Sequence, residues 1–362
     1  MKICFFEASP HWSGGAKRVY LVAKKLYFSG YNPVVCCFPE SLLGEKFKAI
    51  GGIVEFIKPK FDPDIFALFR ILEVIKKYKI DILDLCSPKF YWIGSFSAKL
   101  TGKKSILTRN VPFRKKGLKK MINKILYNGL VDGIITVSEQ IKNDLVCDFG
   151  ISEERIKSIV FGIDPEEYKI KTEEKGILRN FNIRGSPLIA VISRLDERKG
   201  LEELIEAVPL VIKEFPDAKF VILGKGHKLS ELKEKSKSLG VEKNIYFAGF
   251  VENIGEILPS FDITVMPSPY EALPRSVTES MACGVPVVSV DTGGVRQIIE
   301  DNVDGIICER CSPESIFSGI QRMLKSDYKK FGEKAREKIL KNYSIDNAVK
   351  EYIDFCKKVL GK

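Results

Sequence analysis

Glu271 and Glu279 are separated by seven residues in the run Pro267-Ser-Pro-Tyr-Glu271-Ala-Leu-Pro274-Arg-Ser-Val-Thr-Glu279-Ser-Met-Ala-Cys-Gly284, which follows the apolar strand Ile263–Met266. Two carboxylates can accept hydrogen bonds from vicinal hydroxyls, the groups that a sugar or a ribose offers. Pro274 suits the first turn of a helix and Gly284 its end. Glu271 then falls in the loop before the helix and Glu279 in its second turn. Free N–H groups of Ser276 and Val277 at such a helix mouth, with the helix dipole behind them, favour a phosphate. Arg194 and Lys199 bracket a second strand-to-helix loop, Ser193-Arg-Leu-Asp-Glu-Arg-Lys199-Gly200. Fixed cations there stabilise the charge that grows on a departing diphosphate, a task otherwise given to a metal ion. Taken singly, these charges also fit a solvated helix carboxylate and a surface ion pair between Arg194 and Glu197.

Glycines mark two further loops. Gly224 and Gly226 follow the strand Lys219–Leu223, where they either admit a ligand or merely turn the chain into a helix. Gly14 and Gly15 follow the strand Ile3–Phe6, in Trp12-Ser-Gly-Gly-Ala-Lys-Arg, and the helix is expected to begin near Ala16. Small residues there let backbone amides approach a phosphate, or form a plain turn.

Short apolar runs alternate with amphipathic stretches along the chain, the pattern of parallel sheets covered by helices. The first half is expected to hold strands at Ile3–Phe6, Val34–Phe38, Val54–Ile57, Ile82–Leu85, Ser105–Thr108, Gly133–Val137 and Lys157–Val160. The rhythm restarts with Pro187–Ser193, Lys219–Leu223, Asn244–Phe247, Ile263–Met266 and Val285–Val290. Ligands of such sheets sit beyond the carboxyl ends of the strands, where the loops above lie.

The carboxyl half resembles the retaining GT-B glycosyltransferases, notably glycosyltransferase family 4. Glu271 to Glu279 resembles the family's E-x7-E signature and Ser193 to Gly200 its G-R-L-x-x-x-K-G loop. Gly224-Lys-Gly226, Gly249-Phe250, Gly293-Gly294, Asp304-Gly305 and Phe161-Gly162-Ile163-Asp164 are similar to further elements, in order, over about residues 160 to 310. The resemblance implies an α/β GT-B fold, two Rossmann-like doubly wound lobes facing a central cleft. Residues 1–163 would form the acceptor-side lobe, 164–344 the nucleotide-sugar lobe, and 345–362 a helix crossing back to the first. It implies a retaining, metal-independent transfer of a hexosyl or related sugar from a nucleotide-diphosphate sugar, a co-substrate rather than a cofactor, to a saccharide or lipid-linked acceptor. Arg194, Lys199 and Glu271 become the catalytic residues, with Glu271 on the donor sugar hydroxyls. Gly14, Gly15, Gly224, Gly226, Phe250, Ala272, Leu273, Ser276 and Glu279 become donor-binding, with Glu279 on the ribose. Retention in the family is ascribed to front-face attack, the leaving phosphate taking the acceptor's proton. Where the family often has a histidine after the Ser105–Thr108 strand, this chain has Arg109-Asn110, and Asn110 becomes a candidate hydrogen-bonding contact of the first lobe.

Charge adds a surface. The net charge is +11 over 362 residues. Residues 1–166 carry 27 Lys and Arg against 17 Asp and Glu, so nearly all of the excess lies in the first half. In the segment Phe113–Leu130, Leu118, Met121, Ile122, Ile125 and Leu126 follow helical spacing beside Arg114, Lys115, Lys116, Lys119, Lys120 and Lys124. This reads as a helix that adsorbs to an anionic membrane surface, or as one that packs its apolar stripe on the lobe. No run is long and apolar enough to span a bilayer, and a cytoplasmic protein, peripheral on the inner face of the membrane, is expected. The nine cysteines read as free thiols. Two other functions share parts of these features. A GT-B enzyme of another reaction type, such as an epimerase, should lack the full set of Arg194, Lys199, Glu271 and Glu279. A basic carbohydrate- or nucleic-acid-binding protein needs only the charge, and no recognised nucleic-acid motif is present.

Overall fold

A computed structural model describes residues 1–60, 64–111, 117–168, 183 and 185–361. The chain divides into two compact units: Met1–Phe161 with Ile345–Lys362, here lobe 1, and Gly162–Ser344, here lobe 2.

Lobe 1 is built on a parallel seven-stranded sheet of order β3-β2-β1-β4-β5-β6-β7. Its strands are β1 Ile3–Glu7, β2 Val34–Cys37, β3 Ile53–Phe56, β4 Ile82–Leu85, β5 Lys104–Arg109, β6 Gly133–Thr136 and β7 Ile156–Ser158. β1, β2, β4 and β6 are buried along their whole length, as strands covered on both faces must be. The order reverses between β1 and β4, which opens a crevice at their carboxyl ends. Helices α1 Gly14–Phe28, α2 Leu42–Ala49, α3 Ile65–Tyr78, α4 Tyr91–Leu100, α5 Leu118–Ile125 and α6 Glu139–Phe149 join the strands. α1 starts two residues earlier than expected. Ser13 caps it, its Oγ accepting from Ala16 N–H at 3.2 Å, so Gly14 and Gly15 are drawn into the first turn. The closing helix Ile345–Leu360 belongs to this lobe: Tyr352 stacks on Phe5 with ring centroids 5.8 Å apart, and Lys25 pairs with Asp346.

Lobe 2 carries a parallel six-stranded sheet of order β10-β9-β8-β11-β12-β13. Its strands are β8 Leu188–Ile192, β9 Lys219–Leu223, β10 Ile245–Gly249, β11 Ile263–Met266, β12 Val287–Val290 and β13 Gly305–Cys308. Separate apolar clusters fill its two faces, one around Met266, Val277 and Met281, the other around Val191, Leu204 and Val265. β13 goes beyond the five strands expected. Its four residues begin within the turn-like Asp304-Gly305, and only pairing with β12 shows them extended. Here the order reverses between β8 and β11, so the loops after these two strands share the crevice. All nine cysteines are free thiols.

Candidate active site

The lobe 2 crevice brings together residues far apart in sequence. Gly200 ends the loop after β8 with φ of +64°, and a side chain there would meet the Pro267 carbonyl at 2.2 Å. Glycine is therefore required, and its tight approach presses the β8 loop against the β11 loop. Ser268 Oγ fastens the two by donating to the Arg198 carbonyl at 2.9 Å. Lys199, the preceding residue, then reaches Glu271, with Nζ to Oε1 at 2.6 Å and side-chain exposures of only 15% and 23%. At that depth a charged pair is much less screened than one on the surface.

The other side of the Glu271 loop is held by the turn after β12. Gly294 N–H donates to the Ala272 carbonyl at 2.7 Å, and Glu271 N–H to Thr292 Oγ1 at 3.2 Å. Gly293, with φ of +54°, lies so close to the Glu271 carbonyl that a side chain would meet it at 2.0 Å. Ala272 is buried, and Leu273 and Ser276 are half-buried. Pro274 caps the Arg275–Ala282 helix rather than starting its first turn. Its carbonyl accepts from Val277 N–H at 3.1 Å, because the chain tightens there into a three-residue turn. Val277 thus does not offer the free amide expected of it. The Ser276 amide has no partner among the described residues.

Glu279, one turn further along, is 6% exposed. Its Oε1 accepts from the Tyr168 hydroxyl at 3.0 Å and lies 3.5 Å from the Arg275 guanidinium. Burial, then the Glu279 charge, push the Tyr168 hydroxyl far above its ordinary range, so it stays a donor. Tyr168 and Arg275 escaped the sequence reading. The signal in reach was the Phe161–Asp164 element, which runs on through Pro165 to Tyr168.

Arg194 stands at the rim, 67% exposed and paired with Asp196 at 2.9 Å, while Glu197 pairs with His227 at 2.7 Å. An Arg194–Glu197 pair does not form, because Asp196 and His227 take the two partners. Gly224 and Gly226 serve a close approach of loops: side chains there would strike the Ser193 carbonyl at 1.8 Å and the Leu195 carbonyl at 2.1 Å. Phe250, just past β10, is 49% exposed.

Gly14, Gly15 and Asn110 lie in lobe 1. A side chain on Gly15 would begin 3.4 Å from Asn110 Nδ2, which itself donates to the Cys86 carbonyl at 3.4 Å. The basic segment expected at Phe113–Leu130 is described from Gly117 onward. Phe113, Arg114, Lys115 and Lys116 lie outside the described residues. Leu118, Met121, Ile122 and Ile125 of α5 are all exposed, at 39% to 66%. Leu126 is buried, because the chain widens there into a π turn over Leu126–Leu130 that turns it inward. The apolar stripe thus packs on the lobe only through Leu126.

Comparison with known proteins decides the family. Residues 12–167 match the model for Glycosyltransferase Family 4, and residues 173–338 that for Glycosyl transferases group 1. The chain belongs to these glycosyltransferases. It is 34% identical over 233 residues to an uncharacterised glycosyltransferase of Methanocaldococcus jannaschii, covering 62% of this chain and 59% of the relative. It is 23% identical to the UDP-Gal:alpha-D-GlcNAc-diphosphoundecaprenol alpha-1,3-galactosyltransferase of Escherichia coli, over 80% and 79% of the two chains. The fold matches Anabaena HepE, solved with UDP-glucose, at a TM-score of 0.89, 19% identity and coverage of 99% and 100%. The two Rossmann-like lobes are therefore those of the GT-B fold, as expected. Among the described residues no helix is long and apolar enough to cross a membrane.

Proposed function

We propose that this glycosyltransferase moves a sugar, with retention of anomeric configuration and without a metal ion, from a nucleotide-diphosphate sugar to a hydroxyl of a lipid-linked or cell-envelope saccharide. The observation that carries the proposal is the Lys199–Glu271 pair at 2.6 Å, set at the mouth of the helix that holds Glu279. The donor's diphosphate draws Lys199, together with Arg194, onto its oxygens. Glu271 is then released to hold the donor sugar hydroxyls, and Glu279 takes the ribose. When the anomeric C–O bond breaks, its electron pair leaves with the diphosphate, where the two cations stabilise the new charge. The acceptor oxygen bonds to the anomeric carbon, and its proton passes to the leaving phosphate. Neither glutamate need act as a nucleophile. Gly224, Gly226, Phe250, Ala272, Leu273 and Ser276 line the donor. No cofactor is needed.

The acceptor class is supported by the Escherichia coli relative, whose name specifies a diphosphoundecaprenol-linked acceptor. The exposed apolar row of α5 beside Lys119, Lys120 and Lys124 supports a place on the anionic inner face of a membrane, since each basic group near such a surface contributes about 1 kcal/mol. A panel of nucleotide sugars, scored by thermal shift and by slow hydrolysis with and without EDTA, tests the reading. Glu279→Ala is expected to weaken donor binding and Glu271→Ala chiefly to lower turnover. Folded variants with normal donor affinity and rate, or a strict need for a divalent metal, would overturn it.

A further inference from the structure

Lobe 1 holds a carboxylate that this chemistry leaves unused. Glu7 is the last residue of β1, at the crevice where the strand order reverses, and is 4% exposed. Its Oε1 accepts from Ser9 N–H at 2.9 Å. Its Oε2 lies 3.4 Å from the point where a Gly15 side chain would begin, the same distance as Asn110 Nδ2, with Ser13 Oγ at 3.7 Å. Three polar side chains thus converge on one glycine. The amides beneath them are donors: Ala16 and Lys17 N–H are taken by Ser13, whereas those of Gly14 and Gly15 find no partner among the described residues.

Behind this cluster lies Arg18, 3% exposed, its guanidinium 4.9 Å from the centre of the Phe161 ring and with no hydrogen-bond partner among the described residues. It faces Glu7, Asp84, Cys86 and Tyr352. Asp84 is already satisfied, accepting from Thr108 Oγ1 at 2.7 Å, Tyr352 OH at 3.0 Å and Cys86 Sγ at 3.3 Å. The Arg18 charge is therefore the buried support for Glu7. Burial, outweighing Arg18 and the Ser9 amide, still pushes the Glu7 carboxyl up to about 7.

A phosphate seated on the Gly14 and Gly15 amides would set its charge against the Glu7 carboxylate. A hydroxyl suits both, since its oxygen accepts from the amide while its proton goes to the carboxylate. We infer that Glu7, Gly15 and Asn110 form a sugar-hydroxyl subsite in lobe 1, in place of the phosphate seat expected from the glycines. The inference rests on the sugar-transfer reading above. The hydroxyl belongs either to the donor's sugar or to the acceptor.

The test uses the full chain as wild type, Glu7→Gln and Gly15→Ala. The alanine methyl fits at 3.4 Å from its neighbours yet covers the hydroxyl's place. UDP-glucose, GDP-mannose and dTDP-glucose are titrated, each beside its bare nucleoside diphosphate, and transfer to a panel of octyl glycosides is followed. If the hydroxyl is the donor's, both variants lose about 10-fold or more in nucleotide-sugar affinity while the bare diphosphate binds as before. If it is the acceptor's, donor binding and hydrolysis hold while the glycoside KM rises by that factor. In either case the wild-type affinity rises through pH 7 as Glu7 ionises, and that of Glu7→Gln stays flat. The groups facing Glu7 are Arg18 on α1, Asp84 on β4, Cys86 beyond it and Cys37 on β2, and the Cys37 thiol is pushed up to about 11, outside this range. Tighter binding of the bare diphosphate to Glu7→Gln, or variants indistinguishable from wild type, would overturn the inference. A wild type that binds no nucleotide sugar would instead overturn the reading it rests on.

Discussion

Replacing Glu7 by Gln should change how stability depends on pH, and the size follows from its burial. Native Glu7 holds its proton up to about pH 7, whereas the unfolded chain releases it near the ordinary glutamate value of 4.5. Below 4.5 both states are protonated and the group is silent. As pH rises from there to 7, the unfolded state gains a solvated charge that the native state cannot match, so the wild type loses stability, by about 3 kcal/mol in all. Gln has nothing to titrate. The stability of Glu7→Gln relative to wild type should therefore rise by about 3 kcal/mol between pH 4.5 and pH 8 and then level off. The attraction of Arg18 acts only on the ionised Glu7 and is already contained in the value of about 7, so it adds no separate contribution. Both tryptophans, Trp12 and Trp92, lie in lobe 1, so urea unfolding followed by tryptophan fluorescence at constant ionic strength reads this lobe. Curves that stay parallel across this pH range would refute the reasoning.

Arg194→Ala and Lys199→Ala should each lower turnover by about 100-fold with donor in excess, measured as initial transfer rates. Tyr168→Phe removes a donor from the buried Glu279 carboxylate and should cost about 1–2 kcal/mol in a urea titration, with a several-fold loss of nucleotide-sugar affinity by calorimetry. Gly226→Ala, whose methyl meets the Leu195 carbonyl, should lower stability by about 2 kcal/mol or more in the same titration. Met121→Asp with Ile125→Asp, both exposed, should leave the urea midpoint nearly unchanged but abolish flotation with anionic vesicles at low salt.

The sheets were legible because parallel strands buried on both faces leave unbroken apolar runs, as at Leu188–Ile192 and in Phe-Val-Ile-Leu at 220–223. β13 was hidden since Gly305–Cys308 is too short to separate from its turn, and only β12 defines it. The Glu271 and Glu279 spacing placed one carboxylate before a helix and one within it, and the structure has them there. What spacing could not show is which groups meet. Lys199 reaches Glu271 only because Gly200 closes on Pro267 in space. Tyr168 reaches Glu279 from 111 residues away. At α1 the helix start was misjudged because Ser13 capping outweighed the poor helix propensity of two glycines. Glu7 gave no signal, since one carboxylate ending an apolar strand says nothing of the glycine and asparagine it will face.

We propose metal-independent transfer with retention, carried by the Lys199–Glu271 pair. Its most direct test is proton NMR of the product formed from an α-linked nucleotide sugar and an octyl glycoside in EDTA. An α-linked product, formed at an undiminished rate, is expected, with the signal lost in Glu271→Gln. A β-linked product, or a reaction that stops on chelation and returns with added metal, would contradict it.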